Sequence, residues 1–92
     1  MPYRDSMPTI SAFYGILVRM FYNDHPPAHF HARYGDFEAT VDIETLEIME
    51  GELPTRAYHL VREWAMIHRE ELREDWLLCR ENRVPAKIEP LR

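Results

Sequence analysis

His29-Phe-His-Ala-Arg-Tyr-Gly-Asp-Phe-Glu-Ala-Thr-Val-Asp-Ile43 is the stretch that decides the fold. Gly35-Asp36 divides it into two runs rich in aromatic and β-branched residues. A two-residue loop containing glycine is what a tight β-hairpin needs. With those two residues as the turn, Tyr34 faces Phe37, Arg33 faces Glu38 and Ala32 faces Ala39. Further along, His31 faces Thr40, Phe30 faces Val41 and His29 faces Asp42. Side chains alternate across a strand, so Phe30, Ala32, Tyr34, Phe37, Ala39, Val41 and Ile43 share one apolar face. His29, His31, Arg33, Glu38, Thr40 and Asp42 share the other. A slip of one residue would mix the two sets, which pins the register.

Upstream, FYGILVRMFY (13–22) is again aromatic and β-branched, and a buried strand is expected over about 16–22. Asn23-Asp24-His25-Pro26-Pro27 ends it, since prolines donate no ladder bonds and Asn-Asp favours a turn. Downstream, Glu44-Thr45 turns the chain into a short strand, 46–49, closed by Gly51. Pro54 suits the first turn of a helix. Ala57, Leu60, Val61, Trp64, Ala65, His68, Leu72, Trp76 and Cys79 then recur at steps of three and four, an amphipathic helical stripe. It reads as one helix over about 54–81 or as two with a bend near 68–70, followed by a proline-punctuated extended tail. The expected fold is therefore α+β: an antiparallel sheet of three to four strands (about 9–49) packed on one or two C-terminal helices (about 54–82). Residues 1–6 are read as a loose extension and 7–92 as a single domain.

Composition narrows the class. Ninety-two residues suit one domain, and a chain of this size buries only about 60–65% of its unfolded surface. The hydrophobic content of 46% and aromatic content of 12% argue for a folded chain. Sixteen acids against eleven bases give a net charge of −5, which disfavours phosphate backbones and anionic membranes as partners. Ten of the eleven bases are arginine, suited to planar bidentate contacts. The single cysteine, Cys79, excludes an internal disulfide and sits at helical core spacing. No apolar run is long enough for a membrane span and no signal-peptide pattern opens the chain, so a cytoplasmic location is expected.

The chemistry concentrates in His25-Pro-Pro-Ala-His29-Phe-His31-Ala-Arg33-Tyr34. His29 and His31, two apart on a strand, project from one face and suit either proton transfer or metal ligation. His29, His31 and Arg33 are the candidate catalytic set. Asp24, His25, Arg19, Asp42 and Tyr34 are candidate binding residues, with Asp42 placed to orient the ring of His29. Zinc or another divalent ion on His25, His29 and His31 is the metal alternative, with Asp24 or Asp42 as other third ligands; the leading reading has no cofactor. His59 is expected to be exposed, His68 to pack, and Trp64 and Trp76 to anchor a core or interface. Glu70, Glu71, Glu74 and Asp75 form an acidic group, read as a solvated face or as a docking surface for a basic partner.

Several motifs also carry a family resemblance. Pro8-Thr9-Ile10-Ser11-Ala12-Phe13-Tyr14-Gly15-Ile16, Asn23-Asp24-His25 and His29-Phe30-His31-Ala32 resemble the bacterial domain of unknown function 4160 family. Glu50-Gly51-Glu52-Leu53-Pro54, Glu63-Trp64-Ala65 and His68-Arg69-Glu70-Glu71-Leu72 extend the likeness over about 7–91. The resemblance implies no transferable catalytic residue. It implies genetic company: members sit beside a second small protein in pairs of proposed toxin–antitoxin type.

Three functions follow in order. The first is a protein-interaction module partnered by the product of a neighbouring gene, with a homodimer as a further option. The second is a small nuclease working through the histidine and arginine face, which net charge disfavours. The third is a metal-binding structural protein.

Overall fold

The computed structural model describes residues 6–92. Five strands form one antiparallel meander in sequence order: β1 (Thr9–Phe13), β2 (Ile16–Arg19), β3 (His29–Tyr34), β4 (Phe37–Asp42) and β5 (Ile48–Gly51). Two helices follow, α1 (Thr55–Ile67) and α2 (Arg69–Arg80). The α+β class stands, with one strand more than the three to four expected. The extra strand is β1, whose short TISAF run is joined to β2 by a two-residue turn at Tyr14-Gly15. Both turn residues have positive φ, 48° and 79°, as a type I′ turn requires. Tyrosine in that conformation carries little sequence signal. Of the expected extension, residues 1–5 lie outside the described residues, and Ser6 accepts the backbone N–H of Tyr22.

The β3–β4 hairpin has all six expected pairs, from Tyr34↔Phe37 to His29↔Asp42. The fifth strand runs over Ile48–Gly51 rather than 46–49, because Leu46 is buried with φ 63° in the preceding turn. Asp42 Oδ1 accepts the backbone N–H groups of Glu44 and Thr45 and fixes that turn. Gly51 permits the close pairing of β5 on β4. A Cβ there would lie 2.1 Å from the carbonyl oxygen of Glu38.

One face of the sheet packs on the helices. Ile16, Val18, Phe30, Ala32, Val41 and Ile43 meet Val61, Trp64, Leu72 and Cys79 in a single apolar core. Tyr34 and Phe37, at the hairpin tip, are exposed, so the apolar face is longer than the core that covers it. Trp64 is fully buried, with Phe13 and Phe30 rings 5.3 and 5.9 Å away. Its Nε1–H donates to the Glu89 carbonyl at 2.8 Å, strapping the tail to the core. Ile88 N–H donates to the Ile10 carbonyl, so the tail runs beside β1.

The helical stripe is interrupted at His68, φ −112°, which settles the choice between one helix and two. Arg69 donates to the Ile43 carbonyl, and Arg73 to both oxygens of Glu44, locking α2 to the β4–β5 turn. Asp75 departs from the acidic face expected for it. It is buried and accepts the Ala86 N–H at 2.8 Å, while Glu70, Glu71 and Glu74 are exposed.

Candidate functional site

The connection between β2 and β3, residues 20–28, closes over the histidine end of the open sheet face. The C-terminal turn of α2 holds it there. Asn23, at φ 52°, donates its N–H to the Cys79 carbonyl at 2.8 Å, and Arg80 Nη1 donates to the Asp24 carbonyl at 2.6 Å. These two anchors aim the Asp24 carboxylate back at β3.

Three donor atoms converge beneath this loop. His29 Nε2 lies 2.9 Å from Asp24 Oδ2, and His31 Nε2 lies 3.6 Å from the same oxygen. His29 Nδ1 is 2.7 Å from the Pro27 carbonyl, an acceptor only, so Nδ1 carries a proton. Nε2 therefore faces the Asp24 carboxylate oxygen. The His29 ring also stands 5.2 Å from Trp76, which accounts for its burial. Phe21 covers His31 edge-on at 4.6 Å.

Electrostatics follow from burial and neighbours. Burial works against the charged form of Asp24, but the His25 backbone N–H and the charge of His29 outweigh it and hold the carboxyl below its ordinary range. Burial lowers the His31 pKa, against the pull of Asp24 and with a further push from His29.

The strand registers add a second feature. Arg19 pairs with His31 and His31 with Thr40, so the three lie in one row across β2, β3 and β4. Among the described residues, Arg19 Nε, His31 Nε2 and Thr40 Oγ1 are all buried without a hydrogen-bond partner. Buried polar atoms are nearly always paired, so three together mark a place where something polar belongs. Beside the row lies a cleft of about 220 Å³ lined by Phe21, Asp24, His29, His31, Met49 and Glu50.

The sequence candidates separate into groups. Asp24, His29 and His31 are brought together, with Arg19 adjacent in the row. His25 is 89% exposed and lies on the far oxygen of Asp24, its Nδ1 3.2 Å from Oδ1. Arg33 is exposed and donates Nε to the Gly35 carbonyl at the hairpin tip. Asp42 pairs with His29 in register, yet its carboxylate is used by the β4–β5 turn; Asp24, not Asp42, holds the ring of His29. Tyr34 belongs to a different cleft, of about 240 Å³, with Tyr14, Pro54, Arg56, Ala57 and Leu60. Thr40, Met49 and Arg80 were not singled out by the sequence reading. Thr40 follows from the hairpin register, whereas Met49 and Arg80 reach the site only through tertiary packing.

The described residues thus form a five-stranded meander backed by two helices, with a half-buried Asp–His–His cluster under the β2–β3 connection. The family model of domain of unknown function DUF4160 matches residues 15–77, and the chain belongs to that family. Comparison with curated proteins and with solved structures gives no match. No helix among the described residues is long and apolar enough to cross a membrane.

Proposed function

We propose that this chain is a cytoplasmic protein-interaction module, one half of a bacterial two-gene pair of the toxin–antitoxin type. Its docking face is the cleft between Tyr14, Tyr34 and Arg56, and its partner is the small protein encoded beside it. The observation that supports this reading is Tyr14. An aromatic residue at positive φ is uncommon and costs roughly 1 kcal/mol, and type I′ turns prefer asparagine or aspartate there. This tyrosine is nevertheless held at φ 48° with 59% of its surface exposed. Strain that displays a side chain to solvent points to a use for that side chain. Tyrosine and arginine around an apolar floor of Ala57 and Leu60 make the composition typical of interface hot spots.

Co-expression with the neighbouring gene product tests the proposal. A complex should co-purify, and Tyr14→Asn should weaken it by at least about tenfold while raising the melting temperature of the isolated chain by a few degrees. A partner that ignores the wild-type chain, or one that binds Tyr14→Asn equally well, overturns the reading.

A further inference from the structure

We infer that Asp24, His29 and His31 form a binding site for one divalent transition-metal ion of the zinc or iron(II) class. The site is separate from the Tyr14 cleft and does not depend on it. Asp24 Oδ2, His29 Nε2 and His31 Nε2 are the converging donors.

Geometry carries the inference. One donor atom from each of the three residues lies within 4.8 Å of the others. The separations from Asp24 Oδ2, 2.9 and 3.6 Å, bracket the roughly 3.3 Å between ligands of a tetrahedral ion with bonds of about 2.0–2.2 Å. The Asp24 carboxylate thus already stands at ligand spacing from both imidazoles.

The ring orientations also fit, and for His29 the tautomer does too. A metal-ligating histidine usually donates its other ring N–H to a carbonyl or carboxylate. His29 Nδ1 faces the Pro27 carbonyl at 2.7 Å, and His31 Nδ1 faces Glu38 Oε2 at 3.9 Å. Both rings thus turn Nε2 inward. Asp24 Oδ1 is occupied by the His25 N–H at 2.9 Å, which leaves Oδ2 for the ion.

His31 Nε2 supplies the independent observation, because it is buried and makes no hydrogen bond among the described residues, with Asp24 Oδ2 just beyond reach at 3.6 Å. A buried ring nitrogen left without a hydrogen bond costs free energy that coordination would recover. Two imidazoles and one carboxylate select a borderline transition ion over magnesium or calcium, which favour oxygen alone. Three protein ligands beside an open cleft leave room for water or a small ligand as the fourth.

The test uses the full chain without a polyhistidine tag, stripped with chelator and titrated with Zn²⁺ and with Co²⁺. One equivalent should bind, the melting temperature should rise, and Co²⁺ should develop the visible absorption of a low-symmetry site. Asp24→Asn and His31→Gln keep shape and volume, and each should weaken binding by more than about tenfold while far-ultraviolet circular dichroism is retained. His59→Gln, on an exposed position of α1, should bind as wild type does. Absence of binding by folded wild-type chain overturns the inference. So does binding that Asp24→Asn and His31→Gln leave unchanged.

Discussion

The two faces of the sheet are finished to different standards. The face toward the helices is dominated by carbon: Phe30, Ala32, Val41 and Ile43 meet Trp64, Val61 and Leu72, all at or near zero exposure, and only Ser11 Oγ and Asp75 Oδ2 are buried there without a hydrogen bond among the described residues. The open face, one residue out of phase on the same strands, leaves Arg19 Nε, His31 Nε2 and Thr40 Oγ1 buried together in one row with no hydrogen bond among the described residues. Identical backbone supports both, so the difference lies in side-chain chemistry alone. A small domain has little stability to spare. Concentrating stability on one face allows the other to keep polar groups that folding alone would not select.

Trp64→Ala is the change with the largest expected effect on this contrast. It removes the ring between Phe13 and Phe30 and the bond to the Glu89 carbonyl. A loss of about 3–5 kcal/mol is expected in urea unfolding. Hydrogen exchange at the Ile88 amide, which bonds to Ile10, should quicken as the tail strap is lost. A loss below about 1 kcal/mol would mean that the dry face does not carry the fold.

Asp75 is the exception that sharpens the comparison, since it is a buried carboxyl on the helical side. Burial pushes its pKa up to about 6, opposed by the Ala86 N–H and reinforced by Glu71 and Glu74. The native state therefore holds a proton that the unfolded state releases between about pH 4 and pH 6. This group's contribution to stability falls as pH rises through that window, by at most about 3 kcal/mol. Asp75→Asn should remove that fall. The difference in urea midpoint between wild type and variant, measured from pH 4 to pH 7, should shift toward the variant. A constant difference across that range would show that Asp75 titrates as it does in the unfolded chain.

The dry face was legible in the sequence because alternation and helical spacing are local. Fixing one turn, Gly35-Asp36, sorted Phe30 from His31 and Val41 from Thr40 without further information. Strand β1 was missed because its turn uses Tyr14 where asparagine would have announced it. The site was legible in part. His29 and His31 follow from two-residue spacing, whereas the centring of both on Asp24 depends on how residues 20–28 fold back. That fold-back is set by Cys79 and Arg80, more than fifty residues away in sequence. Burial of Asp75 was hidden for the same reason: its partner, Ala86, lies in a tail without periodicity.

The smallest expected effect probes the unfinished face directly. Thr40→Val replaces a hydroxyl whose oxygen is buried and unpaired by a methyl of nearly the same shape. Where a threonine hydroxyl is hydrogen-bonded, this exchange costs about 1 kcal/mol or more, since the bond is lost and its partner stranded. Here no partner is stranded, and removing an unsatisfied hydroxyl should leave stability unchanged or raise it by up to about 1 kcal/mol. The comparison is made on metal-free chain, so that it reads the row and not a bound ion. A gain would mark the row as a liability that the fold tolerates beside the His31 ring. A loss of about 1 kcal/mol would mean that the hydroxyl is already satisfied, by ordered water in the adjacent cleft, and that the open face is finished with solvent where the helical face is finished with carbon.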